Sequence, residues 1–350
     1  MTEGYDITFN RPLELLLEKH ANDPETSLKF PQIGTNRFDL YKQMKSKLQD
    51  GVYRDVQSGL TADANGAAFT RHDLGHVDDV IRKAGELLGV DSSAKTPAFK
   101  NLEPFEVFAL LTAILVHDAG NIDGRARHEA RARKVLKQVS NDRLSQKELK
   151  IISAIAKAHG GKNADGSRDK IEQLEDPEQI DSFKVRSKLL AAVLRFSDEL
   201  AENFRRANNR TEDSSKYPNM FCQCISVGVD YDSRRVKLDF AVANEACELE
   251  AKDEAGEKMF FVDYIKKRIR KTELERRYCD RFMRNFASFE ETRVVIDFLH
   301  DDEEWHDINF ILKESGFPSE EGDIFPEDHE FSGEDIANLY REHRGEEQDA

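Results

Sequence analysis

Residues 110–120 read Leu110-Leu111-Thr112-Ala113-Ile114-Leu115-Val116-His117-Asp118-Ala119-Gly120, an apolar block that runs straight into a histidine and an aspartate. A short apolar run of helix formers closed by glycine is the end of a buried core helix. An imidazole and a carboxylate at such an end lie partly out of water. That is costly unless they hydrogen-bond, pair or hold a metal. The opening helix, about Pro104 to His117, is apolar nearly all round and should sit centrally.

Working outward, Thr70 to Val80 carries His72 and His76, four residues apart and so on one helical face, followed by apolar positions 77, 80, 81, 84, 87 and 88. After Gly120 a helix is expected from about Arg125 to Val139, with His128 on its apolar stripe. The next runs from about Gln146 to His159 and is stopped by Gly160-Gly161. Residues 160–180 read as polar loop, and a long helix is expected from about Phe183 to Arg206, with Asp198 aligned with Leu190, Leu194 and Ala201. Upstream, Pro12 to His20 and Phe38 to Leu48 have helical character. Residues 49–69 read as loop.

Beyond Asn208 the pattern changes. Cys224–Val229 and Val236–Val242 alternate around a polar turn, the mark of a β-hairpin. Phe260 to Phe286 is a long helix rich in cations, and Arg293 to Leu299 is a strand. From residue 301 the chain is acidic, with aromatic islands and a short helix expected near Glu334 to His343. The formal charge of −16 is concentrated there: residues 301–350 hold 18 acidic and 3 basic side chains, leaving 50 and 49 in the other 300 residues. The body is nearly neutral, so overall acidity does not argue against phosphate or nucleic-acid partners.

The four cysteines form no Cys-x-x-Cys pair, which suits reduced thiols in a cytosol. No signal pattern or membrane-length apolar run is present, so a soluble cytoplasmic protein is expected, with no membrane partner. No P-loop, dinucleotide fingerprint or repeat occurs.

His76, His117, Asp118, His128, His159 and Asp198 thus lie on or at the ends of expected core helices. Imidazole plus carboxylate suits Mn, Fe, Ni, Co, Mg or Zn, and a carboxylate can bridge two such ions. Arg125, Arg127, Arg131 and Arg133 open the helix that carries His128. Arg195, Arg205 and Arg206 flank Asp198, and guanidinium forks suit phosphate oxygens. His72 would flank the site or hydrogen-bond to a ligand.

The order His…His-Asp…Asp resembles the HD superfamily of metal-dependent phosphohydrolases. His76 is similar to its first histidine, Val116-His117-Asp118-Ala119-Gly120 to its signature, and Leu194 to Leu200 to its aspartate-bearing helix. The resemblance spans roughly residues 65–210. It implies a helical bundle around one or two divalent metals and hydrolysis of phosphoesters, often of nucleotides. His128 and His159 fall where the two-metal branch places extra histidines. Asn121 and Gly166-Ser167-Arg168 replace a lysine and a Gly-Tyr-Pro of that branch, which counts against cyclic di-GMP. Arg195 to Leu200 and the following hairpin are more similar to HD modules of bacterial conflict systems.

The expected fold class is mainly α: an N-terminal extension (1–64), an HD-type bundle (65–210), a small α+β subdomain (211–300) and an acidic tail (301–350). The expected activity is a phosphohydrolase acting on a nucleotide-type phosphoester. His76, His117, Asp118 and Asp198 would hold one metal and His128 and His159 a second, with Asp118 bridging. Arg125 and Arg195 would hold the non-bridging oxygens. Two alternatives stand beside it: a nuclease or nucleic-acid module using the basic helix, and a non-catalytic metal-stapled regulatory domain. An oligomer is compatible with each.

Overall fold

The computed structural model describes residues 7–32, 34–53, 73–119, 131–160, 163, 166–207, 216–252, 258–313, 324–325 and 331–348. The chain packs as two compact units. The first comprises residues 1–65, 72–201 and 279–288, and the second 66–71, 202–278 and 289–350. Described residues are mainly helical, as the periodicity predicts.

The first unit holds α1 (Pro12–Asn22), α2 (Arg37–Leu48), α3 (Leu74–Leu87), α4 (Pro104–Val116), α5 (Ala132–Val139), α6 (Gln146–Lys157) and α7 (Ser187–Glu199). Helix α4 touches the other six. That position explains its composition: every residue from Pro104 to Val116 is buried, so no face needs to be polar. Pro104 opens it with a ready-made φ, and Glu106 reaches back to the Glu103 N–H at 3.0 Å. Glu106 also accepts from Arg186, through Nε at 2.9 Å and Nη2 at 2.5 Å, at the start of α7.

Polar groups tie α1 and α2 into this core. Lys45 sits 2.6 Å from Glu14 and 2.7 Å from Asp78, Arg11 lies 2.5 Å from Asp78, and Arg37 lies 2.8 Å from Glu148. Fully desolvated cations and carboxylates are tolerable only in such pairs.

Helix α7 starts later and ends earlier than the periodicity suggests. Phe183–Val185 (β2) pairs antiparallel with Glu178–Ile180 (β1), inside the stretch expected as loop and helix. Asp181 turns the hairpin in a left-handed conformation, φ 50°, which aspartate tolerates. Strands this short show too little alternation to be read from sequence. Likewise, the helix expected from Arg125 is described only as α5, Ala132–Val139. Residues 125–130 lie outside the described residues.

The second unit contains α8 (Lys216–Cys224), β3 (Ile225–Asp230), β4 (Arg235–Ala243), β5 (Glu250–Lys252), β6 (Lys258–Phe260), most of α9 (Phe261–Met283), β7 (Glu291–His300), β8 (Glu303–Leu312) and α10 (Gly333–Gln348). Its main sheet has the order β3-β4-β7-β8. β4 and β7 are parallel and the outer pairs antiparallel. The parallel step needs a long crossover, and the 23-residue α9 lies within it.

Two segments of the acidic tail are built into the second unit, and the helix expected near Glu334 to His343 is one of them. Residues 303–312 form an edge strand, and α10 packs against the unit. In β8, Ile308, Phe310 and Leu312 alternate with Asp307 and Asn309, so a strand pattern lay beneath the net charge. Helix α10 is anchored where Tyr340 Oη meets His300 Nδ1 at 2.8 Å and where Arg344 reaches Glu248 at 2.8 Å.

Candidate metal centre

Four elements of the first unit bring five side chains together. His76 is in the first turn of α3, where the Asp73 side chain caps the helix by accepting from the His76 N–H at 3.2 Å. His117 follows the last residue of α4, with Asp118 next. His159 lies just past α6, and Asp198 is in the last turn of α7.

His76 Nε2 lies 3.0 Å from Asp198 Oδ1 and 3.7 Å from Asp118 Oδ2. His117 Nε2 is 3.3 Å from Asp118 Oδ2 and 3.6 Å from Asp198 Oδ1. His159 Nε2 faces the other oxygen, Asp118 Oδ1, at 3.7 Å. The two oxygens of Asp118 therefore look at different imidazoles.

Two of the rings are oriented in the same way. His117 Nδ1 donates to the Ile114 carbonyl at 2.7 Å, and His159 Nδ1 to the Ala156 carbonyl at 2.5 Å, each three residues back at a helix end. Each bond selects the tautomer whose Nε2 lone pair points inward, the arrangement that metal-ligating histidines need. It also satisfies carbonyls that the helix end leaves without partners.

Burial and charge set the protonation of the group. For His117, burial would lower the pKa, but the Asp118 and Asp198 carboxylates outweigh it and hold it well above the usual value. Burial first, and then the neighbouring His117, push His159 down to about 4. Burial would raise the Asp198 carboxyl, yet His117 and His76 hold it well below the carboxylate range.

This donor set fits a cation. His76, His117 and Asp118 each offer a ligand atom, and these atoms lie within 4.8 Å of one another. His117 Nε2 is buried and makes no well-formed hydrogen bond among the described residues, despite the carboxylates nearby. An unsatisfied buried nitrogen facing two acids is what a bound ion would complete. The group could hold a metal ion.

The HD-CE family model matches residues 66–271, more than half of the chain. This chain belongs to the HD-CE family. No curated protein matches it, and no solved structure does. The HD-CE match includes every side chain of the centre, from His76 to Asp198, and leaves α1 and α2 outside it.

Other candidates are placed differently. His72, Arg125 and His128 lie outside the described residues. Arg195 is buried, and its Nη1 donates to the Arg168 carbonyl at 3.0 Å, so this guanidinium holds a loop of the HD-CE unit. On the cationic helix α9, Arg276 and Arg277 are buried, each 2.6 Å from Glu273. Arg268 lies 3.2 Å from Glu202 and Arg284 2.8 Å from Asp280. Arg276 and Arg277 are therefore committed inside the fold, whereas Arg284, just past α9, is exposed.

Sequence reasoning missed Tyr53. Its buried hydroxyl donates to the Leu115 carbonyl at 2.8 Å, two residues before His117. A lone tyrosine among Gly- and Asp-rich residues carries no local signal of such a contact. The carbonyl partners of His117 and His159 had one: both histidines stand at helix ends, where a ring can fold back on the last turn.

Proposed function

We propose that the chain is a metal-dependent phosphohydrolase that cleaves a phosphoester of a nucleotide-type substrate. The observation that carries this reading is the division of Asp118. One oxygen faces His76 and His117, the other faces His159, and Asp198 closes the first side. Such a carboxylate would suit one divalent ion or two, and His128, which lies outside the described residues, is proposed as a further ligand. Bound there, a divalent ion supplies Lewis acidity toward a phosphoryl oxygen and makes hydroxide available near neutral pH.

The chain's own residues have separate tasks. The Ile114 and Ala156 carbonyls keep the Nε2 atoms of His117 and His159 turned inward. Asp118 and Asp198 contribute the negative charge that a cation requires, and the buried walls of α4 exclude bulk water. Arg125 remains the candidate for the non-bridging oxygens. A cytoplasmic setting agrees with the four free cysteines. Among the described residues no helix is long and apolar enough to cross a membrane.

The test is elemental analysis of the purified protein, followed by a screen of nucleotides and cyclic dinucleotides with Mn²⁺ added. Asp118→Ala should abolish both metal content and turnover. Turnover that survives in a metal-free preparation would reject the proposal.

A further inference from the structure

We infer that the N-terminal helices, which lie outside the HD-CE match, are a positioning element of the metal centre. Tyr53 sets the end of α4 that carries His117–Asp118, and Lys45 with Arg11 sets the turn of α3 that carries His76. This inference rests on the metal-centre reading above. None of these residues is assigned a part in the chemistry.

The first contact is at α4. The carbonyls of a helix's last turn have no intrahelical donors once the chain turns away. In α4 two adjacent ones are taken by side chains: Ile114 by His117 Nδ1 at 2.7 Å, and Leu115 by the Tyr53 hydroxyl at 2.8 Å. Tyr53 is 1% exposed, so water cannot replace its hydroxyl. Without that donor the Leu115 carbonyl would be buried and unsatisfied, and the turn would have reason to rewind. Any rewinding moves the Ile114 carbonyl, and with it the ring of His117.

The second contact is at α3. Asp78 stands two residues after His76 and is buried. Its two oxygens are held separately, Oδ1 by Lys45 at 2.7 Å and Oδ2 by Arg11 at 2.5 Å. Glu14 completes the group, 2.6 Å from Lys45 and 2.7 Å from the Tyr41 hydroxyl. Lys45 thus meets two carboxylates away from water, with the half-buried Arg11 at the edge of the group. Such clusters add little net stability over apolar packing of equal volume, but they demand one geometry. Here that geometry fixes the rotation of α3 beside His76. Two struts from one extension therefore reach two ligand-bearing elements, each two residues from a histidine of the centre.

The experiment uses full-length protein stripped of metal and titrated with Mn²⁺ alone by calorimetry. Urea unfolding is measured in parallel. Tyr53→Phe keeps the ring and removes the hydroxyl. Tyr340→Phe, which removes an equivalent hydroxyl from the second unit, is the control. The expected result is an Mn²⁺ Kd raised by about tenfold in Tyr53→Phe, unchanged in Tyr340→Phe, with similar small shifts in the two urea midpoints. A merely structural tyrosine would move the midpoint and leave the Kd alone. If Tyr53→Phe fails to fold, Asp78→Asn decides, with the same weakening expected. Wild-type affinity in the variant overturns the inference while the metal-centre reading stands. Absence of Mn²⁺ binding by the wild type overturns both.

Discussion

The Arg186 guanidinium grips the Glu106 carboxylate at the start of two helices whose ends carry Asp198 and Asp118. Both acids lie twelve residues beyond the clamp. At the far ends both acids face the same two imidazoles, those of His76 and His117. Arg186→Met should cost about 1–3 kcal/mol, because Glu106 stays buried with fewer partners. Urea unfolding measures this, and an unchanged midpoint would show that the clamp is dispensable.

His76 and His117 both lean on Asp198 Oδ1, at 3.0 and 3.6 Å. Mn²⁺ at about 100 times its Kd should stabilise the wild type by about 2.7 kcal/mol. In Asp198→Ala this stabilisation should vanish. A thermal shift that persists in the variant would remove Asp198 from the ligand set.

Glu202 gives a pH dependence in the second unit. Burial would raise its carboxyl, but Arg206 and Arg268 outweigh that and hold it at about 2, against 4.5 for a free glutamate. A depressed folded-state pKa adds stability above the unfolded value, and this is lost as pH falls through the window from 4.5 to about 2. The contribution is roughly 3 kcal/mol at neutral pH. Glu202→Gln should be less stable at pH 7 and lose less on acidification. Parallel pH profiles for variant and wild type would refute this.

Glu273 is the counter-charge of the cationic helix, holding Arg276 and Arg277 at 2.6 Å and accepting from Thr292 at 2.8 Å. Glu273→Gln should cost roughly 3–5 kcal/mol, since it strands two buried guanidiniums. Denaturant titration checks this, and a loss below 1 kcal/mol would mean that the arginines relax outward to water.

The cysteines should be inert. Burial pushes the thiols of Cys224 and Cys247 up to about 12, and that of Cys222 higher still. At pH 7 thiolate is scarce, so a colorimetric thiol reagent should react slowly with native protein and with all four cysteines in urea. Rapid native labelling of Cys222 or Cys247 would contradict its burial.

The order of residues alone determined that α4 is central, that His117 and Asp118 end it, and that a hairpin follows near residue 225. These properties depend on local periodicity and caps, which repeat within a few residues. The limits of α7 were not legible, because the short β1–β2 hairpin draws its stability from pairing partners outside any helical window. The strand β8 was obscured by net charge, although alternation was present in Ile308, Phe310 and Leu312.

The convergence of Asp198 with Asp118, eighty residues apart, was expected from a family resemblance, but the distances at which they meet across two histidines come from packing. The tertiary structure alone decided that Tyr53 caps the carbonyl beside them. Sequence records which face of a helix is apolar. It does not record the register in which separate helices pack, and that register is set by side-chain volumes and buried ion pairs summed over the whole core.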